Sequence, residues 1–285
     1  MLKEIREVNK EKGIVRITTP DSRWYVKSSA NKVTGLPEYQ YVPSVTWICS
    51  VGYAKGPNFI KWAANQKDYD AVQAIKNAAG DRGSKIHLAI ADLLAKKEVK
   101  IDDKYPSKET DIFEELTPDE YGAVISFKDW YNEVKPEVLG FEYVVFNDSL
   151  GYAGTVDLKC RIGNEVWIID VKSGQNIWPE YELQVSAYKA CESEVKKIGI
   201  LQVGYNRIKS KYKFTEIEDK FSLFLAARQI WANETEGIEV PQKDYPLSIS
   251  LLVENKNTEK KEKLSEESSI ERIDIGLNKR SPKKQ

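Results

Sequence analysis

Apolar and polar residues alternate along this chain with two different periods. Short segments with an apolar residue at every second position, or an unbroken apolar run, are typical of β-strands. This pattern predicts strands over residues 14–18, 24–27, 141–146, 151–157, 168–174, 198–205 and 211–215. Apolar residues three or four positions apart predict helices over residues 69–79, 82–97, 118–134, 179–192 and 216–234. We expect short helices after Ser44 and from Pro57, a helix end near Gly80 and a new cap at Asp81.

These elements predict an α/β protein organised in three parts. Residues 1–39 contain the first strand pair, which predicts an N-terminal β-hairpin extension. Residues 40–240 contain the other strands and helices, including a helical insert, and form the predicted main domain. Beyond about residue 253 half of the residues are charged and few are apolar, so 241–285 is predicted to be a disordered tail.

The composition supports this picture and adds little about function. The chain is 41% hydrophobic and 31% charged, as in a soluble globular protein. It lacks an apolar run of about 18 residues, and its first residues are charged. We therefore expect a cytoplasmic protein. This expectation includes a virus-encoded protein that acts in the host cytoplasm. The net charge of −1 argues neither for nor against nucleic acid binding. Cys49, Cys160 and Cys191 lack metal-site spacing and are predicted to be small buried apolar groups.

The stretch from Gly151 to Gly174 carries most of the candidate chemistry. Gly163-Asn164 is typical of a two-residue hairpin turn, and that register places Asp157 opposite Asp170. Directly opposed Cβ atoms lie about 4.5–5.5 Å apart, where two like charges destabilise a sheet unless a cation lies between them. Lys172 lies on the same side of its strand as Asp170. The sequence therefore predicts a divalent metal at this hairpin.

Further candidate residues lie on the neighbouring elements. His87, the single histidine, follows Gly83 by one helical turn, so both lie on one face. A lone helical histidine is more often structural, and this alternative stays open. Gln184 and Tyr188 also share a helix face. Glu142, on the preceding strand, either reaches the metal or faces the surface.

Metal-dependent phosphodiester hydrolysis needs this combination of residue types. Asp157 and Asp170 would bind Mg²⁺ or Mn²⁺ through oxygen, and the backbone carbonyl of Val171 could add a ligand. Lys172 could orient a metal-bound water or stabilise developing negative charge. His87 would favour Mn²⁺ or a second metal position.

These motifs resemble those of the PD-(D/E)XK nuclease superfamily, in its RecB-like exonuclease branch. The resemblance covers roughly residues 40–205, and Pro43-Ser44-Val45-Thr46 with Trp62 is also similar to phage-encoded and mitochondrial genome maintenance exonucleases. The matching motifs are Arg82-Gly83-x-x-x-His87, Gly154-Thr155-Val156-Asp157, Ile169-Asp170-Val171-Lys172-Ser173-Gly174 and Gln184-x-x-x-Tyr188.

The resemblance implies a restriction-endonuclease-like mixed central β-sheet flanked by helices, with an N-terminal helical cap. It also implies cleavage of DNA, often single-stranded and from an end, and a role for Gln184 and Tyr188 at the site. The four-cysteine iron–sulphur cluster of some relatives is missing, as are helicase motifs. Two alternatives remain: an endonuclease of the same fold, of restriction, junction or flap type, and an inactive nucleic-acid-binding module.

Overall fold

A five-stranded mixed sheet forms the centre of the protein. The computed structural model describes residues 4–9, 11–30, 37–107, 110, 112–205 and 211–241. The sheet has the order β11-β10-β9-β8-β7, in which β9 and β10 run parallel and the other neighbours run antiparallel. Its strands are β7 (Glu137–Asn147), β8 (Tyr152–Ile162), β9 (Glu165–Lys172), β10 (Lys197–Tyr205) and β11 (Lys211–Ile217).

Helices cover both faces of this sheet, because its central strands are apolar on both sides. On one face, α3 (Tyr69–Leu94) and α4 (Pro118–Val134) pack on Leu158, Ile169 and Leu201. On the other face, α1 (Val45–Gly52), α5 (Pro179–Lys189) and α6 (Phe221–Glu234) pack on Val156, Ile168 and Ile200. The short helix α2 (Pro57–Ala64) follows α1 and has no buried residue. The predicted fold class, α/β with a mixed central sheet flanked by helices, is confirmed.

A second sheet of four antiparallel strands precedes the helices. It contains β1 (Glu4–Asn9), β2 (Ile14–Thr18), β3 (Arg23–Ala30) and β4 (Pro37–Pro43), in that order. The predicted hairpin is the β2–β3 pair, which is therefore the middle of a larger sheet. One of its faces packs on β7 and β8 through Tyr25, Val42, Val144 and Ala153.

The two predicted helices on either side of Gly80 are one continuous helix, so the expected break is wrong. Asp81 is not a cap. Its carboxylate accepts a hydrogen bond from Ser107 and lies 3.8 Å from the Lys85 ammonium, inside the protein. The cap of α3 is Asp68, which accepts from the Ala71 N–H. Glycine in a helix interior costs only about 1 kcal/mol relative to alanine, so these buried contacts outweigh it.

Other local predictions hold or shift slightly. Ser44 caps α1, and Thr117 with Glu120 forms a capping box at α4. Between α3 and α4, where the sequence predicts neither helix nor strand, the chain contains a short hairpin, β5 (Lys104–Pro106) with β6 (Phe113–Glu115). In the described part of the chain no helix is long and apolar enough to cross a membrane. Apart from Pro241, the tail predicted over 241–285 lies outside the described residues, and the proposed domain boundaries remain predictions.

Candidate metal centre

The imidazole of His87 is held at the end of β9 by a backbone contact. Its Nε2 lies 2.8 Å from the carbonyl oxygen of Val171. A carbonyl oxygen only accepts hydrogen bonds, so Nε2 carries the proton and donates it. The other ring nitrogen, Nδ1, therefore faces Glu142 and Asp157, at 3.7 Å and 3.6 Å from their carboxylate oxygens.

These two carboxylates come from neighbouring strands at an irregular position of the sheet. Phe141 pairs with Leu158 and Tyr143 with Val156, which places Glu142 across from Asp157. Glu142 has a left-handed backbone with φ of 46°. For a non-glycine residue such a conformation costs on the order of 1–3 kcal/mol, and it is concentrated at functional sites.

The regular alternation of β8 is also broken at Asp157. Val156 packs under α5 and α6, whereas Leu158, two residues later, packs under α3 and α4. Residues two apart on a regular strand face the same side. The break frees the carboxylate of Asp157 to turn toward His87 while its second oxygen accepts the Val171 N–H at 2.8 Å.

His87, Glu142 and Asp157 together offer one nitrogen and two carboxylate oxygens that all lie within 4.8 Å of one another. Burial lowers the pKa of His87, but the negative charges of Asp157 and Glu142 outweigh it and raise that pKa to about 9. The cluster therefore favours a positive charge at its centre. Carboxylate oxygens with an imidazole suit a divalent cation such as Mn²⁺ or Mg²⁺, so the residues present fit the metal that the sequence predicts.

Asp170 lies beside this cluster, on the α5 side of the sheet. Its side chain is buried, and one oxygen lies 2.7 Å from the Lys172 ammonium. Burial raises the pKa of the Asp170 carboxyl to about 6, against the lowering effect of Lys172. Burial lowers the pKa of Lys172, but Asp170 and Asp157 raise it to about 12. Lys172 is thus a cation fixed beside the cluster, and it also lies over the Tyr181 ring at 4.6 Å.

The Gln-x-x-x-Tyr pair on α5 orients Asp170. The Gln184 amide donates to Asp170 at 2.9 Å and to the Tyr188 hydroxyl at 3.0 Å. Tyr188 in turn fills the space left by Gly154, because a Cβ at that position would lie 2.3 Å from its ring. The glycine three residues before Asp157 is therefore needed for close packing. Gly83, by contrast, has no such neighbour, since an added Cβ would meet only the Ser173 hydroxyl at an ordinary 3.7 Å.

The predicted hairpin register is present, with Ile162 paired to Glu165 across the Gly163-Asn164 turn and Leu158 paired to Ile169. The ladder ends one pair before Asp157 and Asp170, where Asp157 binds the backbone of Val171 instead. The structure gathers His87 and Asp157 into the cluster. The Val171 carbonyl accepts from His87, and Asp170 contacts Lys172 and Gln184.

The sequence did not decide whether Glu142 reaches the metal or faces the surface, and in the structure it belongs to the cluster. Its position opposite Asp157 could be found by counting the pairing of β7 with β8, but its left-handed backbone leaves no signal in the sequence. Arg82 belongs to the Arg82-Gly83-x-x-x-His87 motif, and its guanidinium donates to the Ser173 carbonyl at 3.1 Å.

The cluster opens into a groove of about 1540 Å³. One wall is α3, and the other is formed by the four-stranded sheet together with the start of α5. Five aromatic side chains also line the groove: Tyr25, Phe113, Trp178, Tyr181 and Tyr188. The groove therefore joins the metal-ligating residues to both aromatic and basic side chains.

Four aromatic residues, Trp47, Tyr53, Phe59 and Trp62, lie on or next to α1 and α2, and Trp47 has a structural role. It is buried and packs edge-on against Trp24 and Trp231, with 5.1 Å between ring centroids in each pair. Phe59 and Trp62 pack against each other on α2 at 5.5 Å, and Tyr53 packs against the core below α1.

Comparison with known proteins gives only distant similarities. No family model matches this chain, and no curated protein is similar to it. Among solved structures it is similar to an alkaline exonuclease, LHK-Exo from Laribacter hongkongensis, with 11% identity, a TM-score of 0.36, and coverage of 67% of this chain and 84% of that one. LHK-Exo in complex with dAMP gives 12% identity, a TM-score of 0.36, and coverage of 67% and 85%. Similarities this distant assign neither a family nor an activity to the chain.

Proposed function

We propose that this protein is a divalent-metal-dependent nuclease that hydrolyses phosphodiester bonds of DNA. The observation that carries the proposal is the group of His87, Glu142 and Asp157, whose ligand atoms converge within 4.8 Å at the floor of a groove. The left-handed backbone of Glu142 and the broken alternation of β8 at Asp157 occur together at this point. The carboxylates of Asp157 and Glu142 repel each other at this separation, so the arrangement favours a bound cation.

The chain's own residues supply the remaining requirements. A bound Mg²⁺ or Mn²⁺ would lower the pKa of a water and neutralise phosphate charge. Lys172, held 2.7 Å from Asp170, is placed to stabilise negative charge that develops on a phosphate in the groove. Gln184 and Tyr188 act as positioning residues, because they fix the carboxylate that holds Lys172. Asp170 and the Val171 carbonyl remain proposed as further metal ligands.

The motifs favour a RecB-like exonuclease that acts on single-stranded DNA or DNA ends during replication, repair or recombination. A groove open to an extended strand is compatible with this mode. A closed circle of single-stranded DNA separates it from the endonuclease alternative. We expect a linear strand to be degraded and the circle to survive.

The test of the proposed activity is a time course on 5′- and 3′-labelled DNA, single- and double-stranded, with Mg²⁺ or Mn²⁺. We expect cleavage that EDTA stops and added metal restores. Asp157→Asn and Lys172→Ala should each lower the rate by at least about 100-fold, the scale on which one electrostatic stabiliser acts.

Matched controls lie next to each other on α4. Asp129→Asn and Lys128→Ala change the same residue types at exposed positions outside the groove, and both should cleave like wild type. Circular dichroism checks that each variant is folded. Wild-type rates in Asp157→Asn or Lys172→Ala would refute the site, and a folded wild type that cleaves no DNA with either metal would refute the activity.

A further inference from the structure

Two arginines and a tyrosine form a line across three strands of the four-stranded sheet, outside the group of metal-ligating residues. Arg6 on β1 is paired directly with Arg16 on β2, and Arg16 is paired directly with Tyr25 on β3. Directly paired residues point to the same side of a sheet, and neighbouring strands lie about 4.8 Å apart. Arg6, Arg16 and Tyr25, here called the arginine row, therefore form one line on one face.

Two like charges directly opposite each other destabilise a sheet unless something neutralises them. Elsewhere basic residues have acidic partners: Arg161 donates to Glu137 at 2.8 Å, and Lys27 to Asp148 at 3.1 Å. Within the described ranges, neither Arg6 nor Arg16 has a carboxylate at ion-pair distance. The Nε of Arg16 is buried and lacks a hydrogen-bond partner among those same residues. Among the described residues, the two arginines of the row therefore have no carboxylate that neutralises them.

The arginine row is continuous with the metal centre. The Tyr25 hydroxyl is 2.8 Å from the Thr155 hydroxyl, and Thr155 precedes Asp157 by two residues on β8. Arg6, Arg16 and Tyr25 line the same groove as His87, Glu142 and Asp157. An anion bound at the row and a phosphate at the metal centre would thus lie in one channel.

We propose that the arginine row binds backbone phosphates of the DNA strand outside the scissile position and leads that strand to the metal centre. The inference rests on the proposed function and adds to it a specific substrate-binding wall in the N-terminal sheet. Guanidinium groups pair with phosphate oxygens through two parallel hydrogen bonds, and two adjacent arginines would contact one or two phosphates. The four-stranded sheet is then a DNA-binding element rather than only a cover for the core.

The test measures equilibrium binding of a fluorescent 20-nucleotide single strand in EDTA, where no metal-dependent cleavage occurs, across a series of salt concentrations. Arg6→Gln/Arg16→Gln should weaken binding by about tenfold or more. The slope of log affinity against log salt should fall by about 1.4, which corresponds to two lost phosphate contacts on a single strand. Arg16→Lys keeps the charge, so it should keep the salt slope of wild type but recover only part of the affinity, because an ammonium group does not form the paired hydrogen bonds of a guanidinium.

Two further variants complete the test, one as a control and one for the case that the double variant does not fold. Arg161→Gln removes an arginine of β8 that lies outside the groove and should bind DNA like wild type. Arg6→Gln alone changes an exposed side chain, so it answers the question even where the double variant is poorly folded. Wild-type affinity and salt slope in folded Arg6→Gln/Arg16→Gln, or in Arg6→Gln where the double variant does not fold, would overturn the inference.

The outcome is independent of whether the protein cleaves DNA. If the row variants lose binding and wild type does not cleave DNA, the proposed DNA binding by the arginine row is supported and the proposed nuclease activity is refuted. If the row variants bind normally and wild type shows metal-dependent cleavage, the proposed role of the arginine row is refuted and the proposed nuclease activity is supported. Where wild type cleaves, the variants should raise KM for long strands and leave kcat unchanged.

Discussion

At the scale of single residues, the site depends on side chains whose partners are not neighbours in the sequence. His87 lies far from Asp157 and Lys172 in the sequence. The apolar pattern predicts the helix and the two strands that carry these residues, and in the structure these elements meet at the candidate metal centre. Residue type and spacing alone identified the candidate site residues His87, Asp157, Asp170 and Lys172. The contribution of Glu142 depends on a left-handed backbone, which only the folded chain shows.

Gly154 gives a prediction at this scale. Gly154→Ala should push the Tyr188 ring aside, because the new methyl would lie 2.3 Å from it, and disturb the Gln184–Asp170 hydrogen bond. Overpacking of this kind costs about 1–3 kcal/mol of unfolding free energy. Urea unfolding followed by fluorescence measures the loss.

Gly122→Ala on α4 is the control, since an added Cβ there meets nothing within 4 Å. It should leave stability unchanged or raise it by up to about 1 kcal/mol, through the higher helix propensity of alanine. Equal stability of Gly154→Ala and wild type would show that the packing explanation of this glycine is wrong.

At the scale of elements, the sequence predicted most helices and strands, because caps and turns act locally. Thr117 and Ser44 begin their helices as expected, and Gly163 turns the hairpin with a φ of 60°. The break expected at Gly80 failed for a tertiary reason. Buried partners that lie far along the chain hold the helix together at that point, and local propensity carries no information about them.

Those buried partners give a prediction for α3. The Lys85 ammonium is 2.9 Å from Glu120, 3.5 Å from Glu114 and 3.8 Å from Asp81, and its side chain is only 5% exposed. Lys85→Ala would remove the cation that faces the buried Glu120 carboxylate, and breaking such a pair costs about 3–5 kcal/mol. The free energy of unfolding in guanidinium chloride should fall by that amount.

Lys97→Ala removes a comparable but exposed partner of Asp92, with 66% of the lysine side chain accessible. It should cost less than about 1 kcal/mol, as surface ion pairs do. A loss in Lys85→Ala no larger than in Lys97→Ala would mean that the buried cluster does not hold α3 and α4 together.

At the scale of the whole molecule, the groove lies between α3 and the junction of the two larger sheets. The mixed sheet carries the candidate metal centre, and the four-stranded sheet carries Arg6 and Arg16, which have no carboxylate at ion-pair distance among the described residues. The strand pattern predicted the hairpin within that second sheet. It did not reveal that β1 and β4 extend it, because β1 lacks apolar alternation and β4 begins and ends at a proline. The proposed DNA-binding wall was therefore not visible in the sequence.

The central claim is that His87, Glu142 and Asp157 hold a divalent metal. The most direct measurement is equilibrium binding of Mn²⁺, followed by the electron paramagnetic resonance signal of the free ion. Wild type should bind Mn²⁺ at this centre, and Glu142→Gln and Asp157→Asn should each bind at least about tenfold more weakly, the effect expected for loss of one charged ligand. Asp129→Asn should bind like wild type. Equal Mn²⁺ affinity in wild type, folded Glu142→Gln and folded Asp157→Asn would contradict the account.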